Sequence, residues 1–285
     1  MNYLKKITKL IISKLLDYLI SPFFKSKLGR FIFFEISKKV NLRTFKLFFK
    51  NKEYSFYTPN ALTYFRAKTF LSKEPETIKW ISEFENKSIF WDIGANVGLY
   101  SIFAAKEMNS DVFSFEPSVF NLEVLAKNIN INKLNDKITI LPISLSEVKK
   151  ISDFNMSNIE IGGSISSFSE NYKHDGKNLE TIFKYKTLGI SGYDLIKSFQ
   201  LKQPKYLKID VDGIEHLILL GMKNFLKDAI SILVEVDMRF ISQKEKISTL
   251  LKNFNFELIA TEQSKIINQS EENKNIFNQI WKKRK

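Results

Sequence analysis

The sequence predicts an α/β fold: a seven-stranded, mostly parallel sheet with helices on both faces, preceded by a basic helical N-terminal extension. Three observations carry this expectation. In Ser88–Ser101, SIFWDIGANVGLYS, a short apolar run ends in Asp92, a small-residue turn spans Gly94 to Gly98, and helical spacing runs on from Leu99. A second apolar run, Asp111–Phe115, ends in Glu116-Pro117. A third, Tyr206-Leu-Lys-Ile-Asp-Val211, brings charged residues to the end of a strand, where open α/β sheets take their ligands.

Length and composition set the frame. A chain of 285 residues with 44% apolar content can bury one sizeable core plus a modest extension. Cysteine is absent, which excludes a disulfide framework, cysteine-ligated zinc and any thiolate nucleophile, including that of cytosine C5 methylation. The net charge of +13 is concentrated at the ends: residues 1–52 hold 13 Lys or Arg against 2 acids, and Lys282–Lys285 are four cations in a row. The body between is close to neutral, so the overall charge is poor evidence for nucleic acid. The expected division is an extension over 1–57 and a ligand-binding domain over 58–285, with a lid or substrate insert at about 147–203.

Taken in order, residues 3–20 set Leu4, Ile7, Ile11, Leu15 and Tyr18 on one helical stripe, with Lys5, Lys6, Lys9 and Lys14 mostly off it. Lys14 and Asp17 interrupt the roughly 20 apolar residues that a membrane-spanning helix needs, and no small-residue cleavage site suggests a signal peptide. The stripe fits a helix lying on an anionic membrane or packed against protein. Residues 23–39 are expected to form a second helix broken near Gly29, and the runs 45–50 and 53–57 a small hairpin. Helices follow at 61–72 and from Pro75 to Phe84, with Glu74 read as the cap of the latter or, alternatively, as a contact to cofactor or substrate at the lip of the site. After Glu116 come a helix over 118–130, a strand over 138–143, and the insert, in which His174 reads as a solvated loop histidine. Residues 206–211 and 230–236 are strands, and 256–260 with a piece near 276–277 the closing hairpin.

The glycine loop lacks the third glycine of a dinucleotide fingerprint and the Lys-Ser/Thr of a P-loop. It favours a ligand with a ribose and a compact charged group, the ribose hydroxyls being bound by Glu116. Three motifs in order, Asp92-x-Gly-Ala-Asn-x-Gly98, Phe115-Glu-Pro117 and Leu207-Lys-Ile-Asp-Val-Asp-Gly-Ile-Glu215, resemble the FkbM family of S-adenosylmethionine-dependent methyltransferases. Upstream, Arg66-Ala-Lys-Thr-Phe70 and Lys73–Trp80 resemble the family's lead into its first strand, and the likeness runs over about 60–280. Asp212 stands where the family more often has Glu.

The resemblance implies a class I Rossmann-like methyltransferase sheet of order 3-2-1-4-5-7-6 with S-adenosylmethionine as cofactor. The implied cofactor contacts are Asp92, Gly94, Ala95, Asn96, Gly98, Glu116 and Pro117, with Ile143 and Ser144 flanking the adenine. Transfer to a hydroxyl needs alignment and a base, for which Asp210, His216 and Glu215 are the candidates beside Lys208. Asp210, Asp212 and Glu215 offer hard oxygens to Mg²⁺, but nothing in their spacing requires a metal, and none is expected. The implied activity is O-methylation of a sugar in a glycan or lipid-linked polysaccharide, in the cytoplasm and peripheral to the membrane's inner face. The alternatives are a nucleic-acid methyltransferase or binder, and a non-catalytic cofactor-binding module.

Overall fold

The protein is described from a computed structural model, which covers residues 2–263, 265–268 and 273–284. The side chains of Leu4, Lys5, Lys6 and Lys9, and all of Lys285, lie outside the described residues. The chain forms two compact units, Met1–Thr44 and Phe45–Lys285.

The first unit is a pair of helices, Asn2–Lys25 and Lys27–Val40. The break falls at Ser26 and not at Gly29, because the Ser26 side chain accepts the Gly29 N–H at 2.9 Å and so caps the second helix. Gly29 is buried where a Cβ would overlap the Phe23 backbone, so glycine here allows a close approach of one helix end to the other. Leu10, Ile11, Leu15, Tyr18, Phe31 and Phe34 are exposed. Among the described residues no helix is long and apolar enough to cross a membrane.

The second unit opens with the hairpin Thr44–Phe49 and Lys52–Tyr57, turned by Lys50 and Asn51, both at positive φ. Tyr54 and Phe56 are buried in one cluster with Phe70, Ile81, Phe90 and Phe103. The hairpin therefore belongs to the second unit, and the compact units divide at residue 44 instead of residue 57. Next come helix Ala61–Lys73, started by a reciprocal Asn60–Thr63 capping box, and helix Pro75–Ser82.

The main sheet has seven strands, β1 (Ile89–Ile93), β2 (Asp111–Phe115), β3 (Ile138–Leu141), β4 (Tyr206–Ile209), β5 (Ser231–Asp237), β6 (Phe256–Glu262) and β7 (Ile276–Lys283). They lie in the order β3-β2-β1-β4-β5-β7-β6. The first five are parallel and β7 runs antiparallel between β5 and β6. Helices Leu99–Met108 and Val119–Ile131 follow β1 and β2, while Glu215–Met222 and Ile241–Asn253 follow β4 and β5. Two clusters of buried side chains form the core, one around Trp91, Phe115, Leu207, Ile232 and Trp281, the other around Phe90, Phe103, Leu125 and Leu233. Neighbouring residues of one strand thus serve different clusters, as a parallel sheet covered on both faces requires.

The segment after β3 is a second sheet. Its strands Ser144–Leu145, Lys150–Met156, Ser166–Phe168 and Phe183–Ile190 lie in the spatial order first, fourth, second, third. The expected insert ends there, since Gly192–Phe199 is already a helix that packs on Glu215–Met222.

Candidate active site

The parallel register sets the tips of β1 and β4 side by side. Lys208 pairs with Asp92 and Ile209 with Ile93, and the Asp210 N–H then reaches the Ile93 carbonyl at 3.0 Å. The loop after β1 turns over that point. Gly94 sits at φ +83, and a Cβ on it would lie 1.9 Å from the Asp210 carbonyl oxygen, so only glycine lets the two strand ends meet. The Gly94 and Ala95 N–H groups both bond the Phe115 carbonyl at 3.0 Å, which ties the loop to the tip of β2.

A cleft crosses these tips. One part is walled by Gly94, Asn96, Phe115, Glu116, Pro117, Ile143, Ser144 and Leu145, with Phe154 and Phe168 of the second sheet and Gly163–Ser166 of its loop. Glu116 is buried, and its carboxylate accepts the N–H groups of Asn96 and Ser118, each at 2.7 Å. Burial outweighs those bonds and pushes its pKa up to about 7. Ser144 Oγ and Asn96 Oδ1 are buried without a partner at the same wall.

An adjoining recess shares Arg66, Lys73, Gly94, Asn96 and Asp210 with the first part and adds Glu74, Ala95, Tyr100 and Lys208. Lys208 is 1% exposed, bonds Asp210 at 2.5 Å and lies over the Tyr100 ring. Burial alone would lower its pKa, but Asp210, Glu74 and Asp92 raise it, so it remains an ammonium. Glu74 does not cap its helix with its side chain. It is buried against Lys73 and Thr77, and although burial acts the other way, Lys73 and Lys208 hold its pKa below the usual carboxylate range.

Several expected site residues stand elsewhere. Asp92 is 1% exposed and takes a 2.5 Å bond from Ser101, beneath the loop and not on the cleft wall. Gly98 starts helix Leu99–Met108 against Leu125 and is likewise off the wall. Glu215 is buried and accepts the N–H groups of Val211 and Gly213, with Gln243 on its other oxygen, so it shapes the turn after β4 and is off the cleft wall. His216 is buried outside the cleft wall beside Phe240, and burial, with Lys246, drops its pKa to about 4. Asp212 leaves the strand at φ +62 and accepts the Ile165 N–H at 2.8 Å, so it does not continue the alternation of Lys208 and Asp210. Among the described residues no three acids or histidines are grouped to hold a metal.

Other residues join the site unforeseen. Glu235 of β5 lines the cleft with Asp210 and Asp212, and burial together with those acids raises its pKa. His174 also lines it, and at 5% exposure it is no solvated loop residue. Its Nδ1 lies 2.8 Å from Asp237 Oδ2, and Arg239 holds the same carboxylate through Nε at 2.9 Å. The available signal was Glu235-Val-Asp237, two acids of equal parity at the carboxyl end of a parallel strand.

A parallel sheet whose first loop is pinned to its second strand, with a buried acid at that strand's tip and a cleft across the strand ends, defines a Rossmann-like methyltransferase. The family model described as "Methyltransferase FkbM domain" matches residues 92–261, and the chain belongs to that family. It is 28% identical over 186 residues to the hexuronic acid methyltransferase AglP of Haloferax volcanii, covering 61% of this chain and 70% of that protein. Among solved structures, it is similar to a methyltransferase FkbM of Methylobacillus flagellatus (TM-score 0.49, 12% identity, 77% of this chain and 53% of that one). It is also similar to a precorrin-6y C5,15-methyltransferase of Geobacter metallireducens (TM-score 0.45, 16% identity, 74% and 87%).

The chain is thus a methyltransferase, and its cofactor is S-adenosylmethionine, which supplies a methyl group on a positively charged sulfur. The residues present fit it. Glu116 offers lone pairs for ribose hydroxyls, Ile143 and Leu145 give apolar walls for a base with Ser144 Oγ unpartnered beside them, and Lys73, Glu74 and Lys208 offer both charges to an amino-acid end.

Proposed function

We propose that the protein methylates a hydroxyl group of a sugar in a glycan, with the nucleoside of its cofactor on Glu116, Pro117, Ile143 and Ser144 and the acceptor at the end lined by Asp210, Asp212 and Glu235. The observation that carries this reading is the acid-lined end of the cleft, which borders the glycine loop. Carboxylates accept hydrogen bonds from sugar hydroxyls. Likeness to a hexuronic acid methyltransferase supports a saccharide. Lys208 keeps Asp210 in place through their 2.5 Å ion pair, and Asp210 orients the acceptor hydroxyl.

Residues 1–52 are proposed to hold the enzyme on an anionic membrane face, near a lipid-linked acceptor. Exposed Leu10, Ile11, Leu15, Phe31 and Phe34 beside Lys14, Lys25, Lys27 and Arg30 support that reading. The test of the activity is transfer of labelled methyl from S-adenosylmethionine to methyl glycosides of neutral hexoses and of hexuronic acids. Asp210→Asn is expected to lower turnover while leaving affinity for S-adenosylhomocysteine within a few-fold. Label transfer to no saccharide contradicts the proposal.

A further inference from the structure

We propose that His174 is the catalytic base, taking the acceptor's hydroxyl proton on Nε2, and that Asp237 and Arg239 are positioning residues that fix its ring. The inference rests on the sugar-hydroxyl reading above and adds the group that moves the proton.

His174 comes from the loop between the third and fourth strands of the smaller sheet, near the isolated bridge Tyr172–Asn178, and Asp237 from the end of β5. The Asp237 side chain is wholly buried and accepts from the Arg239 backbone N–H at 2.9 Å, from Arg239 Nε and Nη2, and sits 2.8 Å from His174 Nδ1. Burial would raise its pKa, but Arg239 and His174 lower it, so Asp237 is an ionised carboxylate. A carboxylate can only accept, so His174 Nδ1 must be the donor. The neutral ring then carries its proton on Nδ1, and Nε2 presents a lone pair. That nitrogen is buried and has no partner, and the residue lines the cleft with Asp210, Asp212 and Glu235. A base held in one tautomer by a buried carboxylate is the arrangement proton abstraction needs.

The atoms balance without a further reagent. The hydroxyl oxygen bonds the methyl carbon as the carbon–sulfur bond breaks, and that electron pair stays on sulfur. The hydroxyl proton passes to Nε2, and the imidazolium formed is stabilised by Asp237 until the proton leaves to solvent. The charged groups around it are Asp237 and Arg239 from β5 and beyond, Asp212 from the turn after β4, and Lys173, Asp175 and Lys177 of its own loop.

The chain has only two histidines, so the full-length protein can be tested directly. Long-range proton–nitrogen spectra, assigned with His216→Gln, should show His174 as the Nδ1–H tautomer, and Asp237→Asn should abolish that preference. In transfer to methyl hexosides, His174→Ala should lower turnover by about 10²- to 10⁴-fold. Its affinity for S-adenosylhomocysteine should stay within a few-fold, and imidazole should restore part of the rate. His216→Gln should keep its turnover. An Nε2–H tautomer, or a folded His174→Ala that keeps turnover within about three-fold, overturns the proposal. If the wild type transfers to no saccharide, the sugar reading fails, while the tautomer still decides the histidine's role: Nδ1–H supports it and Nε2–H contradicts it.

Discussion

The two ends of the cleft are assembled in different ways. The end proposed for the nucleoside is made of short contiguous stretches: Gly94 and Asn96 of one loop, the pair Glu116-Pro117 and the run Ile143–Leu145 each place close neighbours on one wall. The end proposed for the acceptor gathers single side chains from distant segments: His174 from a loop of the smaller sheet, Asp210 and Asp212 from the tip of β4, Glu235 from β5. A binding site for an invariant ligand can be carried by motifs, whereas a site that chooses an acceptor is built by tertiary folding of an inserted sheet over a common frame.

Lys208 lies in the adjoining recess and holds Asp210, and removing it should have the largest effect. Lys208→Met leaves buried Asp92 without its cation, half-buried Asp210 without its ion-pair partner and Glu74 with Lys73 alone, and breaking a buried ion pair typically costs about 3–5 kcal/mol. Denaturant melts should show that loss at neutral pH, shrinking in acid as the carboxylates are protonated. Next comes Gly94→Ala. Positive φ alone costs about 1–3 kcal/mol, and the overlap with the Asp210 backbone adds to it. Calorimetry should find cofactor affinity lost even where the protein still folds.

Smaller effects separate the two ends. Glu116→Ala should weaken S-adenosylhomocysteine by about 1.5–3 kcal/mol, the range for hydrogen bonds to a charged group. Unchanged affinity would remove Glu116 from the nucleoside end. The same residue gives a pH signature. Its folded pKa, about 7, lies above the ordinary 4.5, so its contribution to stability is present in acid and is lost as pH rises through 7; Glu215 acts in the same direction. The melting temperature of the cofactor-free protein should therefore fall between about pH 5 and 7, and Glu116→Gln should flatten the fall. For the first unit, changing Lys25, Lys27 and Arg30 to Gln should weaken sedimentation with anionic liposomes, by about 1 kcal/mol per cation that meets the surface. Neutral liposomes should bind neither form.

How far the sequence could be read follows from the same contrast. The strand-turn-helix pattern around Asp92 and the acid at 116 were legible because local spacing encodes them. Burial was not: Asp92 sits under the loop holding Ser101, and Glu215 holds the turn at Val211 and Gly213, although both look like ligand contacts in one dimension. His174 sits in the polar run Asn171–Asn178, and only the folding of that loop onto Asp237 buries it. The hairpin at 44–57 was legible as strands, but its attachment to the body depends on Tyr54 and Phe56 meeting Phe70 and Phe103, contacts that no periodicity reports.

The account stands most directly on the bond the enzyme makes. Sugars labelled by the full-length protein from methyl-labelled S-adenosylmethionine can be treated with mild alkali, which cleaves a methyl ester and spares a methyl ether. Transfer to a hydroxyl at the acid-lined end predicts label that survives on the sugar. Label released entirely by alkali would mean a carboxylate acceptor, and would contradict both the hydroxyl reading and the need for a base.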